Sequence, residues 1–314
     1  MANATSNRTA LRLIKEVVLG TTPATPAFQT LRYTGESLNY TVKTEQSKEI
    51  RDDRNTADVV RVSSDASGDI QFELSGQSFD ALIEAAMGNS FGTPIAGLST
   101  VKNGVTPMSF TIQKVFQDAT STVYHTFRGA RVGGMSLDFK TGSILTGSFN
   151  VMALSADMST TQITGATTLA AKTTPVMNSV TDIIEIKENG VASTAVIRSM
   201  SLNLNNNLRA QDAIGSLNHV GIALGKMEIT GSLEIYFSDI ASYTKFVNGT
   251  AFGLSFKTQD SSGDYYRFTI PAAKYETGQV VSGGLDQDVV LQASWRAIYD
   301  ATTACMIQID RYDA

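Results

Sequence analysis

The 314-residue chain has one cysteine, Cys305, and two histidines, His125 and His219. A single cysteine excludes an internal disulfide framework. Two histidines far apart in sequence leave few parts for a metal centre or a histidine-dependent triad. No run of about 18 apolar residues occurs, so no transmembrane helix is expected. An excess of positive charge is missing too. With 25 Lys and Arg against 30 Asp and Glu, the net charge of −5 is the wrong balance for gripping nucleic acid through a basic surface. The opening stretch MANATSNRTALRLIKEVVLG scatters Arg8, Arg12, Lys15 and Glu16 where a secretory signal needs an unbroken apolar core, so the chain is expected to stay in the cytosol that makes it.

What is abundant is apolar residue (42%) and glycine (25 residues), with charge at only 18%. That is the composition of a folded chain, and its length suggests about two domains. Period-two alternation dominates: Leu38, Tyr40 and Val42; Ile70, Phe72 and Leu74; Phe110 and Ile112; Phe149, Val151 and Ala153 all alternate with polar residues. These are half-buried strands of antiparallel sheet. One helix interrupts them, with Ser78 as N-cap, Asp80 in the first turn, an apolar stripe from Phe79 to Met87 and Gly88 as the stop.

The strands also repeat. SLNY at Ser37–Tyr40 returns as SLNL at Ser201–Leu204, and each precedes a strand opening on glycine, GDIQFEL from Gly68 and GSLEIYF from Gly231. The spacings agree: Leu38 to Ile70 is 32 residues and Leu202 to Leu233 is 31, while Phe110 to Phe149 and Leu254 to Ala293 are both 39. A second helix over residues 239–247, capped by Ser238, takes the place of the first, 79–87. IKE at 14–16 is echoed at 186–188. The first copy carries about 17 extra residues, NSFGTPIAGLSTVKNGVT, read as a Gly/Pro/Ser/Thr-rich loop. The expected organisation is a first unit with an N-terminal arm over 1–160, a Ser/Thr/Ala-rich linker over 161–179 and a second unit over 180–314, each with a modest core of its own.

Charge concentrates between Lys43 and Arg61, in Lys43, Glu45, Lys48, Glu49, Arg51, Asp52, Asp53, Arg54, Asp58 and Arg61, which sum to zero. The counterpart, Asn205–Gly225, keeps Arg209 and Asp212. A mixed-sign stretch usually forms a solvated loop, while a long segment joining two strands is either functional or disordered; as extended arms reaching a neighbouring subunit, the pair would use mixed charge to set register rather than affinity. Elsewhere the chemistry is thin. Gly133–Gly142 and Gly278–Leu285 read as hairpin or bulge glycines, without a following helix to hold phosphate. Asp52–Asp53 and Asp286–Asp288 lack the further ligands of a calcium loop. Cys305 reads as an inert thiol in a late strand, and YYRF (Tyr265–Phe268) lacks the basic field of a stacking platform. No catalytic residue, metal site or cofactor site is predicted.

The ordered set LIKEVVLGTTPATPAFQTLRYTGESL (Leu13–Leu38), KEIRDDR (Lys48–Arg54) and SGDIQFELSGQSFDALIEAAMG (Ser67–Gly88) resembles the tail tube, or major tail, proteins of long-tailed bacteriophages, in the subfamily that carries two tube units per chain. The resemblance implies a mainly β fold, two tandem repeats of a β-sandwich or half-barrel with one flanking helix per unit. It implies rings stacked into a tube, trimeric with pseudo-sixfold symmetry where single-unit members need six chains. It also implies a tape measure protein, a tail terminator and distal tail or baseplate proteins as partners, with double-stranded DNA passing through the lumen. On that reading the arm residues Lys43–Arg61, the N-terminal segment and the loop Asn89–Thr106 stack rings, with Arg209 and Asp212 from the second arm, and Glu73, Asp138 and Glu234 are candidates to line the bore. Other readings stay open at this point: the inner tube of a contractile injection particle, a two-domain β-rich binding or adhesin-like module and, last, a carboxylate-based hydrolase.

Overall fold

The structure is a computed structural model that describes residues 5–117, 120–238 and 240–314. The chain is mainly β, 52% strand and 6% helix. In the first half the strands are β1 (Thr9–Lys15), β2 (Ala27–Thr30), β3 (Gly35–Glu36), β4 (Asn39–Gln46), β5 (Val59–Glu73), β6 (Leu98–Lys102), β7 (Phe110–Phe116), β8 (Val123–Lys140), β9 (Thr146–Ala153), β10 (Ser155–Ser159) and β11 (Thr167–Leu169), with helix α1 (Asp80–Met87) between β5 and β6. The second half holds β12 (Ile183–Glu188), β13 (Val191–Ala192), β14 (Ile197–Asn205), β15 (Arg209–Gln211), β16 (Gly221–Ala223), β17 (Glu228–Tyr236), α2 (Ala241–Asn248), β18 (Phe252–Gln259), β19 (Tyr265–Val281), β20 (Val290–Ala297) and β21 (Gln308–Tyr312).

Alternation sets these strands. β5 buries Ile70 and Phe72 and turns Gln71 outward, and β18 buries Phe252, Leu254, Phe256 and Thr258 in strict alternation. Both helices end on a left-handed glycine, Gly88 (φ 61°) and Gly249 (φ 60°), a conformation that glycine adopts without strain. Their starts differ from expectation. Phe79 and Ile240 occupy the N-cap positions without side-chain caps, and the Ser78 hydroxyl instead bonds Ser75 Oγ at 2.8 Å. Asp239, in the predicted second helix, lies outside the described residues.

The two halves make the same antiparallel pairings in the same order. β1–β7, β4–β5, β5–β9, β7–β8, β8–β9 and β8–β10 correspond to β12–β18, β14–β17, β17–β20, β18–β19, β19–β20 and β19–β21. Even the bulges correspond, between Phe110 and Ile112 and between Phe252 and Leu254, then between Val132 and Gly134 and between Tyr275 and Thr277. The ladders put Ser37–Tyr40 opposite the same partners as Ser201–Leu204. The IKE echo, by contrast, falls three residues out of step: Leu13 pairs with Ile112 where its counterpart pairing is Glu188 with Leu254.

The long strands β8 and β19 each serve two layers. Their N-terminal parts pair with the outer strands β7 and β18, and their C-terminal parts with the inner strands β9 and β20. Apolar side chains fill the space between layers, where Phe72 lies 4.3 Å from Phe79 and 4.7 Å from Phe149. The expectation of a separate core in each half needs correction. One buried cluster runs through both, and Phe139 of β8 meets Phe256 of β18 edge-on at 4.9 Å.

Two connecting segments are also more structured than expected. The Ser/Thr/Ala-rich stretch 161–179 runs along the first half, with β11 parallel to β2, Ala170 O accepting from Gln29, Thr174 Oγ1 donating to Gly76 O at 2.7 Å and Met177 fully buried. The insertion after α1 carries β6, which pairs in register with β21, Leu98 opposite Tyr312 and Lys102 opposite Gln308. Its part from Gly97 to Asn103 is thus spent joining the halves. Cys305 is buried as expected, but in a turn bridged to Asp300 rather than in a strand.

Candidate assembly surface

Eight strands form one unbroken inner sheet in the order β4, β5, β9, β8, β14, β17, β20, β19, four from each half. The join is the seven-residue ladder between β8 and β14, from Lys140 opposite Ser199 to Gly134 opposite Asn205. One face of this sheet is the core. The other is polar along its whole width.

Because side chains alternate, each rung of the ladder reads across the polar face. One rung runs Glu73, Thr146, Asp138, Ser201, Ser232, Ser294, Thr277, and the next runs Gln71, Ser148, Ser136, Asn203, Thr230, Arg296, Lys274. Hydroxyls bond one another along them: Ser136 to Ser148 at 3.0 Å, Ser201 to Ser232 at 2.8 Å, Thr277 to Ser294 at 2.6 Å. Glu73 and Asp138 share the first rung, and Glu234 faces the same way one pair further along β17.

Acidity is not what characterises this face. Glu234 accepts from Arg198 at 2.9 Å, and Arg296 contacts Glu276 at 2.5 Å and Glu228 at 3.4 Å. Those carboxylates hold the Arg296 guanidinium above its ordinary pKa, the hydrogen bond to Glu276 contributing most. Glu73 and Asp138 make no ion pair among the described residues. The face is therefore small neutral hydroxyls and amides with charges of both signs, and it offers no positive field to a phosphate.

Among the described residues no three His, Cys, Asp or Glu side chains come together to hold a metal, and no helix is long and apolar enough to cross a membrane. His125 is buried on β8, where burial and the nearby Lys114 push its pKa below the usual value. The family model for phage tail tube proteins matches residues 6–297. The chain belongs to the phage tail tube protein family. No curated protein sequence matches it.

In this tail tube protein the two predicted arms behave differently. The first is an extended hairpin with one bulge, between Lys43 and Thr44. β4 and β5 stay paired to Gln46 opposite Val59, beyond the point at Ala66 where β5 leaves β9, so the ladder outruns the sheet by about 20 Å. Lys43 and Glu45 lie on β4, Arg61 on β5, and Lys48, Glu49, Arg51, Asp52, Asp53 and Arg54 at the tip, all exposed. Arg51 chelates Asp53 through two hydrogen bonds, 2.6 and 2.9 Å, which lower the Asp53 pKa.

The second arm folds back. It bends at Asn206, a buried amide that donates to Ala86 O at 3.0 Å and Val132 O at 3.1 Å, and lies across the first half. Its tip bonds the base of the first arm through Leu217 O to Ser64 N and Asn218 Oδ1 to Tyr40 Oη. His219 bridges the two, with Nδ1 2.6 Å from Asp212 and Nε2 3.3 Å from Asp65. Burial pulls its pKa down, and the two carboxylates more than offset this to leave it raised. Asp212 is thus engaged within the chain, and Arg209 is exposed on β15.

One functional cluster escaped the sequence reading. Asp80, expected only as a first-turn acid, accepts from Tyr266 Oη and from Arg311, both at 2.6 Å, and so ties the first helix to β19 and β21 of the second half. Tyr266 is fully buried, and desolvation followed by the Asp80 charge raises its pKa well above 10.0. No local signal could have revealed a partner 186 residues away.

Proposed function

We propose that the chain is a duplicated tube subunit, three copies of which close into a ring with pseudo-sixfold symmetry, and that such rings stack into the conduit through which phage DNA is ejected. Family membership places it in the virion tail as a structural subunit. The single observation that carries the finer reading is the inner sheet: eight strands in two matching sets of four, polar on one face, with an open edge at each end. A sheet with two open edges is stable against disordered pairing only when those edges are protected or matched, and head-to-tail closure matches them.

The polar face then lines the bore, with Glu73, Asp138 and Glu234 on it. A conduit must let phosphates pass. Neutral hydroxyls and amides with charges of both signs lack the positive excess that would hold phosphates in a salt-dependent way, as a basic wall would. The extended arm Lys43–Arg61 projects past the sheet along the strand direction and is assigned to the ring above or below. Its mixed charges fix angular register more than affinity. The second arm braces the two halves of one chain. A tape measure protein, a terminator and distal tail or baseplate proteins complete the assembly, in a tail of the long, non-contractile kind put together in the host cytoplasm.

Negative-stain microscopy of the purified chain over a concentration series tests the reading. Hollow rings or tubes are expected. A discrete monomer at every concentration, with or without tape measure protein, would contradict it.

A further inference from the structure

The seam between the halves is a template for the seam between copies. Following the ladders, the β14 residues Ser199–Asn205 correspond to Gly35–Thr41, and the β8 residues Gly134–Asp138 correspond to Thr277–Val281. In the chain the first set of each kind is joined. Among the described residues the second set of each kind is open on its outer side: β4 pairs only with β5, and beyond Ala273 β19 pairs only with β20.

Two further observations say what belongs there. Helix α1 buries Phe79, Leu82 and Ala86 to 1% exposure or less, whereas the corresponding residues at the start of and along α2, Ile240, Tyr243 and Val247, are 69%, 40% and 63% exposed. Part of what covers α1 comes from across the internal seam, through Asn206 on Ala86 O and Tyr266 on Asp80. Among the described residues, Ile240, Tyr243 and Val247 have no such cover and keep that exposure.

The second observation concerns Leu38. Ser37 N bonds Asp69 O of β5 at 2.9 Å, so by the alternation of an antiparallel ladder the backbone groups of Leu38 point out of the sheet. Its counterpart Leu202 faces Leu137 across the internal seam. At Leu38 side chains stand in for the missing strand. The N–H donates to Glu36 Oε2 at 2.9 Å, the carbonyl accepts from Lys114 Nζ at 3.1 Å, and the two side chains form an ion pair at 2.7 Å.

We propose that the edge Gly35–Thr41 receives the edge Thr277–Val281 of a second copy, and that Glu36 and Lys114 form a gate that caps this edge in the free subunit. The proposal rests on the ring reading above. The register copies the internal seam, antiparallel, with Val280 opposite Leu38, Gln279 opposite Asn39 and Gly278 opposite Tyr40. Packing differs at the last of these pairs: Phe246 of α2 lies so close over Gly278 that a Cβ there would stand 2.9 Å from its ring. At the internal seam that pair is Met135 with Leu204, two side chains of middling size. As the strand adds, Leu38 exchanges its side-chain caps for backbone partners, and the carboxylate and ammonium swing clear as a pair. A capped edge keeps free subunits from pairing at random.

Disulfide trapping tests it. Asn39 and Gln279 would form a non-hydrogen-bonded pair, with Cα atoms about 4.5 Å apart, inside disulfide reach. The full chain carrying Asn39→Cys with Gln279→Cys, oxidised under assembly conditions, is expected to give covalent dimers and closed trimers on a denaturing gel. The staggered pair Thr41→Cys with Gln279→Cys should link several-fold less. Rings visible by microscopy without the 39–279 link, or linked better by the staggered pair, would overturn the register and leave the ring reading intact. No oligomer from the wild-type chain at any concentration would overturn both. For the gate, Glu36→Ala and Lys114→Met, each checked for an unchanged circular dichroism spectrum, should lower the threshold concentration for rings several-fold. An unchanged threshold in both variants would overturn it.

Discussion

Tyr266 shows how much a single hydroxyl can hold. It donates to Asp80 and accepts from the Gln77 backbone N–H, and through these bonds the first helix is fastened to the second half. Tyr266→Phe keeps the ring packed and removes both bonds, so it should cost about 1–3 kcal/mol in urea unfolding. His219 makes a pH-dependent counterpart. Its raised pKa means that the arm contact is fully present below the unfolded value near 6.5 and is lost as pH rises through the folded value. Titration by NMR should give a midpoint above 6.5, Asp65→Asn should lower it, and protease cutting between Arg209 and Ala223 should rise with pH. His125, shifted the other way, destabilises the fold below 6.5 instead. At this scale Glu73, Asp138 and Glu234 were legible as one face because period two alone decides facing. Ser78 was misread because its hydroxyl is held by Ser75. That contact depends on the turn before the helix and leaves no mark in composition.

The elements divide the same way. Strands with strong alternation were readable, and so were the helix stops, since each depends on neighbours in sequence. β6 was read as loop. GLSTVK sits among Gly and Pro, and the strand exists because β21, about two hundred residues later, lies beside it. The two arms are equally long in sequence, the second much less charged, and they fold differently. Asn206 and Gly225 bend the second, where the Gly225 N–H bonds Asn206 O at 2.8 Å, while Val42 stands at the corresponding place in the first and its ladder continues, through one bulge between Lys43 and Thr44, to Gln46. If the extended arm stacks rings, reversing its charges should act on tube length alone. Arg51→Glu with Arg54→Glu should leave the thermal unfolding midpoint within a few degrees of wild type, because surface charges contribute little to stability. Tubes in electron micrographs should be markedly shorter. Tubes of normal length would remove the arm from the stacking interface.

For the whole molecule, the scarcity that marks the sequence and the pairings that mark the structure describe the same object. A wall needs matched edges, a face that does not hold its cargo, and loops that find the next ring. Reactive side chains have no place in that list. The matching spacings of the two halves were legible because they persist over enough residues. The shared core and the seam were not, because only the folded chain shows which edge of one half lies against the other. In the proposed ring, three chains of two matching halves would present six nearly equivalent sets of four inner strands, and closure would reuse one seam geometry throughout. Cryo-electron microscopy of the assembled tube tests this most directly. The account predicts three chains per ring, threefold symmetry with six similar inner-sheet modules, and the rung of Glu73, Asp138, Ser201 and Ser232 facing the bore. Six chains per ring, or that rung facing outward, would contradict it.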